Sequence, residues 1–195
     1  MARTPKGGYT RDATMATGTP KFVVDTMLGK LARWLRALGC DTLYLGAVED
    51  HHLLHLARAE ARILLTRDAR LAREAGSLAL LVTAERLESQ ISEVIEGLDL
   101  SPVEHELLSR CLECNDLLED RAKEAVRGLV PEHIFSTQER FVGCPRCAKI
   151  YWQGSHADRI LARLAPLLRR QRRAPSPPPE AREPKGLPLL PEGEG

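Results

Sequence analysis

Between residues 21 and 100 short aliphatic runs alternate with stretches that repeat apolar side chains every three or four positions. KFVV (21–24) predicts a strand closed by Asp25. GKLARWLRALG then sets Leu31, Trp34, Leu35 and Leu38 at helical spacing, with Gly39 placed to end the helix. TLYLG (42–46) predicts a second strand, and HHLLHLARAEA, behind Asp50, a second helix. ILLT (63–66) predicts a third strand, ARLAREAG, behind Asp68, a third helix, and LALLV (78–82) a fourth strand. AERLESQISEVIEGL closes the series as an amphipathic helix through Leu87, Ile91, Val94, Ile95 and Leu98. Alternation this regular predicts an α/β domain over 21–100 with a parallel sheet. The strands lack clean polar alternation, as a sheet covered on both faces requires.

Near Ser101-Pro102 the pattern breaks. Residues 101–156 carry the cysteine pairs CLEC and CPRC, separated by RAKEAVRGLVPEH, which reads as helical. From 157 to 168, Ile160, Leu161, Leu164, Leu167 and Leu168 form one stripe with Arg159 and Arg163 off it, and Pro166 is expected to end or kink that helix. Residues 1–20, polar and rich in Gly and Thr, and 169–195, rich in Pro and charge, are expected to be disordered tails.

Composition adds three constraints. Hydrophobic residues make up 43% of the 195, enough for a core. Net charge is +1, and the surplus lies in the flanks, with 3 basic and 1 acidic residue in 1–20 and 8 and 5 in 157–195. That distribution suits contact with an anionic polymer, or two solvated tails. No apolar run approaches the roughly 20 residues of a membrane span, and the first 20 lack a signal peptide's apolar stretch. A cytoplasmic protein without membrane contact is therefore expected; oligomeric state is not readable.

Chemistry concentrates at two places. In an open parallel sheet ligands bind beyond the carboxyl ends of the strands. Asp25, Asp50 and Asp68 follow the first three strands and reach that edge together, where hard oxygen ligands can converge on Mg²⁺ or Mn²⁺. The same aspartates precede helices and can serve as N-caps. Glu49 or Glu85 is a candidate fourth ligand, or an ordinary surface charge. Lys30 and Arg33, on the ridge that continues to Arg36, and Arg67 beside Asp68 could meet a phosphate backbone or belong to a solvated face. HHLLH puts a histidine, His52, where the zinc-protease pattern has its glutamate, and no role follows for His51, His52, His55 or His156.

The second place is the cysteine pairs. Cys111 and Cys114 with Cys144 and Cys147 have the spacing of a structural, tetrahedral Cys₄ zinc site, one ion, in a ribbon whose own core is small. A redox pair or an iron–sulfur ligand set is the competing chemistry. Cys40 stands alone as a small packed residue. Phe141, Tyr151 and Trp152 could stack on bases or form the module's core.

Taken in order, FVVDTMLGKLARWLRALG, ILLTRD, CLEC and CPRCAKIYWQGSH resemble the Mut-seven C-terminal RNase family, a PIN-like nuclease domain followed by a zinc ribbon. The resemblance runs from about Lys21 to Arg163. It implies a PIN-like three-layer α/β fold and a Mg²⁺- or Mn²⁺-dependent endoribonuclease whose catalytic ligands are Asp25, Asp50 and Asp68. The chain departs from the family at EDHH, where His51 and His52 take positions that tend to be acidic. The expected partner is RNA, positioned by the ribbon and by basic residues including Arg159 and Arg163. A non-catalytic RNA- or ribosome-binding module on the same fold is the alternative.

Overall fold

The computed structural model describes residues 20–100 and 106–172. Strands β1 (Phe22–Val24), β2 (Thr42–Tyr44), β3 (Ile63–Thr66) and β4 (Ala79–Leu81) alternate with helices α1 (Gly29–Ala37), α2 (Asp50–Ala59), α3 (Ala69–Ala75) and α4 (Leu87–Gly97). The four strands form one parallel sheet in the order β2-β1-β3-β4, with Val24 opposite Tyr44 on one side and Leu65 on the other.

Side chains alternate across a strand, so the short runs supply both faces. Phe22 and Val24 pack with Ile63 and Leu65 against Leu31 and Leu35 of α1 and Ile91 and Val94 of α4. Val23 and Leu64 face the other way, onto Leu53 and Ala57 of α2 and Leu71 of α3. This is the expected three-layer α/β arrangement. Gly39 ends the chain's first helical excursion at φ +86°, and a Cβ there would lie 2.5 Å from the Glu106 carbonyl oxygen. Glycine is thus required twice, for the turn and for the close approach.

Beyond Leu100, β5 (Glu119–Arg121), β6 (Phe141–Gly143) and β7 (Ile150–Trp152) form an antiparallel sheet. Val126, Val130, Phe135 and Phe141 are its small core. The helix expected across RAKEAVRGLVPEH is two pieces, a 3₁₀ turn at Lys123–Val126 and helix α5 (Glu132–Thr137). Gly128 at φ +76° and Pro131 separate them. The left-handed backbone at Gly128 interrupts the helical path, and Pro131, which disfavours helical backbone in the residue before it, adds to the break.

The last helix, α6 (Ser155–Arg172), exceeds the expected 157–168 on both sides and contains Pro166 within it. Pro166 sits on the exposed side, where losing one main-chain donor is tolerated. Ile160 and Leu164 of α6, and Leu112 beside the first cysteine pair, are buried in the same cluster as β1, α1 and α4. The cysteine module and α6 are therefore built onto the α/β core. Of the tails expected at 1–20 and 169–195, residues 169–172 instead continue α6, while 1–19, 173–195 and the boundary at Ser101-Pro102 lie outside the described residues. No helix among the described residues is long and apolar enough to cross a membrane.

Candidate functional site

The strand order brings three carboxylates to one edge, because β1 lies between β2 and β3. Asp25 follows β1, and its main-chain N–H donates to the Leu65 carbonyl at 3.0 Å, continuing the register. Its Oδ1 accepts from the Thr26 N–H at 2.6 Å, capping a 3₁₀ turn (Thr26–Leu28). Its Oδ2 accepts from the Thr66 hydroxyl at 2.7 Å. That hydroxyl oxygen in turn accepts from the Asp68 N–H at 3.0 Å. Thr66 is fully buried and ties Asp25 to the Asp68 backbone.

Asp68 caps α3, accepting from the N–H groups of Arg70 at 2.6 Å and Leu71 at 3.1 Å. These donors, Leu71 foremost, hold its carboxyl below the usual aspartate range although it is exposed. Capping is thus an actual duty of Asp25 and Asp68, alongside any other. Asp50 sits in the first turn of α2 and is engaged by Arg70 Nη2, reaching across from α3, while Arg70 Nη1 lies 3.7 Å from Glu74. Asp25, Asp50 and Asp68 share the sheet edge without forming a tight cluster. Among the described residues the groups of three or more His, Cys, Asp or Glu whose ligand atoms lie within 4.8 Å of one another reduce to the four cysteines.

Neither candidate fourth acid stands free at the first three strand ends. Glu49 pairs with His51 Nδ1 at 3.1 Å on the surface, and Glu85 is exposed beyond β4. The acid that closes the end of β4 is Glu93 of α4. Its carboxylate accepts from the Thr83 N–H and Ala84 N–H, at 3.1 and 3.0 Å, and from the Thr83 hydroxyl at 2.8 Å. Sequence reasoning passed over Glu93 and Thr66; the hydroxyl in LLTRD, one residue past the aliphatic run, was the available signal for the latter.

The four cysteines meet as the spacing predicts. Cys111 Sγ lies 3.7 Å from Cys147 Sγ and 3.2 Å from the Tyr151 hydroxyl. The two turns repeat one geometry. Asn115 N–H donates to the Cys111 carbonyl and Ala148 N–H to the Cys144 carbonyl, each at 3.0 Å. Asn115 and Ala148 take φ of +73° and +56°, four residues after the leading cysteine in each case. Burial pushes the Cys111 thiol up, but donation from Tyr151 and from the Cys114 and Glu113 N–H groups outweighs it and brings the thiol to about 7. Crowding against Cys147 pushes the Cys114 thiol up to about 12, and burial pushes Cys144 up, so the case for a metal rests on geometry: the four Sγ atoms lie within 4.8 Å of one another and could hold one metal ion. Cys40 lies apart, buried, its thiol pushed up to about 12 chiefly by burial, and serves as packing.

Buried polar contacts fasten the first turn to the α/β core. Arg36 Nε donates to the Thr42 carbonyl at 2.9 Å, and its Nη1 to the carbonyls of Leu112 and Glu113 at 3.0 and 2.7 Å. Asn115 donates to Asp41 Oδ1 and accepts from the Thr42 N–H, both at 2.8 Å. Arg62 Nη1 donates to the same Asp41 oxygen at 2.7 Å.

The basic candidates divide. Arg33 pairs with Glu113 at 3.0 Å, on the cysteine module. Arg163 pairs with Glu88 and lies 5.1 Å from the Trp34 ring centre, docking α6. Arg159 donates to the Ser155 carbonyl at 2.9 Å. Lys30 and Arg67 are exposed near the acidic edge and make no ion pair among the described residues. Phe141 is buried and Trp152 packs on it, while Tyr151 joins the main core, so these aromatics serve as structure.

A family model described as the Mut7-C RNAse domain matches residues 20–164. A curated relative, "Exonuclease mut-7 homolog" of Homo sapiens, is 34% identical over 101 residues, covering 49% of this chain and 12% of that protein. The match thus touches only a small part of the relative's length. No solved structure matches.

Proposed function

Because the chain belongs to the Mut7-C RNAse domain family, we propose that it is a metal-dependent endoribonuclease. The observation that carries this reading is the trio Asp25, Thr66 and Asp68, hydrogen-bonded across the carboxyl ends of β1 and β3, with Asp50 beyond the neighbouring β2. Three carboxylates are a hard-oxygen donor set, suited to Mg²⁺ or Mn²⁺, and Asp25, Asp50 and Asp68 would hold the ion. Such an ion supplies phosphate polarisation and a water of lowered pKa, the needs of phosphodiester hydrolysis. Thr66 orients Asp25 by donating to Oδ2, which leaves the second lone pair of that oxygen available. The Asp68 carboxylate, held ionised by two backbone donors, stays anionic at any pH at which RNA hydrolysis would be assayed. Arg67 and Lys30 supply positive charge beside the acids for the RNA backbone.

The cysteine quartet is proposed to bind one structural zinc ion. Four thiolates fill a tetrahedron and leave no position for a substrate, so its task is to hold the turns that Arg36 and Asn115 fasten to the core. RNA positioning by the ribbon and by the start of α6 belongs to the same proposal, with Arg159 more available than Arg163 because it has no acidic partner among the described residues. A cytoplasmic setting fits, since thiols persist there.

The test is cleavage of total cellular RNA with Mn²⁺ or Mg²⁺, wild type against Asp68→Asn, followed by mapping of ends. Asparagine is also a good N-cap, so the variant stays folded. Cleavage should fall by about 100-fold or more, the scale of losing an electrostatic contact to the reacting centre. Equal cleavage by the variant would overturn the mechanism. A second reading, an RNA- or ribosome-binding module without turnover, is favoured by the Arg70–Asp50 pair, which neutralises one of the three acids. Retained RNA binding with no cleavage under any divalent metal decides for it.

A further inference from the structure

We propose that Met27 and Leu45 form a platform for one unpaired nucleobase beside Asp25, with Lys30 taking the adjoining phosphate. The inference rests on the ribonuclease reading and names the substrate contact that reading lacks.

The large hydrophobic side chains exposed among the described residues are Met27, Leu45, Leu117 and Leu129. Leu117 and Leu129 belong to the cysteine module. Met27, 69% exposed, and Leu45, 45% exposed, lie at the acidic edge. Met27 is the centre of the 3₁₀ turn that Asp25 caps, and Leu45 directly follows β2. Two hydrogen bonds hold these segments as one unit. The Thr26 hydroxyl donates to the Gly46 carbonyl at 2.9 Å, and the Tyr44 hydroxyl donates to the Thr26 carbonyl at 3.1 Å. Gly29 lets the Tyr44 ring in, since a Cβ there would meet the ring at 2.8 Å. Two exposed apolar side chains are thereby carried on one hydrogen-bonded unit with Asp25, and they stay exposed among the described residues.

Charge decides the occupant. Asp25 repels phosphate, so an RNA strand held there needs favourable contacts to either side of the scissile group. Lys30, exposed and without an ion pair among the described residues, stands one turn along from Met27. A thioether and an aliphatic chain accept the face of any base, and such stacking is tolerant of sequence. Two side chains make too small a surface for a specific protein partner, which needs roughly 1,000 Å² of total buried area. They match one planar base. The result is recognition of single-stranded RNA by shape, in keeping with the absence of any base-reading motif from the chain.

The test compares two ligands on full-length protein carrying Asp68→Asn, so that no ligand is consumed. One is a short fluorescein-labelled single-stranded RNA; the other is the same strand with abasic riboses. Adding Met27→Ser and Leu45→Ser should weaken the first about tenfold and leave the second unchanged, as loss of a single stacked base would. Ala59→Ser, an exposed apolar change at the far end of α2, should alter neither. All changes are at exposed positions, and equal thermal midpoints check the fold. Unaltered affinity for the base-containing strand, or equal loss for both strands, overturns the platform. Asp68-dependent cleavage alongside that result would leave the ribonuclease reading standing. Base-dependent binding without cleavage by the wild type would sustain the platform and remove the nuclease. Absence of RNA binding by the wild-type chain overturns both.

Discussion

Asp68 shows how one side chain serves fold and site together. Its pKa is depressed by the N–H groups of Leu71 and Arg70, so the cap is at full strength above the ordinary aspartate range and fails as pH falls through the lower folded value. Urea unfolding of wild type and Asp68→Ala should therefore differ by a constant amount near neutrality, and the gap should close only in strong acid. Arg70 poses the opposite case, a cation beside Asp50 where an acid set would want a metal. Arg70→Gln should tighten Mn²⁺ binding, measured by calorimetry without RNA, on the order of fivefold, since one exposed charge contact is worth about 1 kcal/mol. Unchanged affinity would remove Asp50 from the ligand set. Asp25, Asp50 and Asp68 were legible because each directly follows or closely trails an aliphatic run. Thr66 was not, because its partners are set by the β1–β3 register, which brings residue 66 level with residue 25.

At the scale of elements, periodicity carried the α/β half, where each strand and helix is short but has a full apolar face. It failed at the insert between the cysteine pairs, where Gly128 and Pro131 outweigh a helical composition, and at Pro166, where α6 runs through a residue expected to stop it. Packing explains the second case: Ile160 and Leu164 before Pro166, and Leu167 and Leu168 after it, hold α6 on the core. The turn after α1 can be tested directly. Gly39→Ala meets both a positive φ and the Glu106 carbonyl, and should cost about 2 kcal/mol or more in urea unfolding. An unshifted midpoint would mean that the contact to Glu106 relaxes freely.

For the whole molecule, the consequential feature is that the cysteine turns and the parallel sheet share buried hydrogen bonds and one core. Arg36→Met leaves the carbonyls of Thr42, Leu112 and Glu113 without their donor and should destabilise by about 3 kcal/mol, with Arg36→Lys rescuing little, because one ammonium cannot reproduce the guanidinium's fan of donors. The same variant should release the proposed zinc faster to a colorimetric chelator, a readout that Leu31→Ala, which destabilises α1 away from the cysteine turns, would not give. Leu164→Ala on α6 should cost about 3 kcal/mol although it lies past every cysteine, because it is buried against the α/β helices. From the sequence alone came the strand–helix alternation, the cysteine quartet and the three aspartates at one edge, since these depend on local spacing. Only the tertiary structure decided which basic residues are paired among the described residues and which are not. Lys30, Arg33 and Arg36 are equally spaced along the chain, yet one is exposed, one is paired with Glu113 and one is buried as a fastener. A charge's role depends on what faces it across the fold, and that is set by the packing of elements distant in sequence.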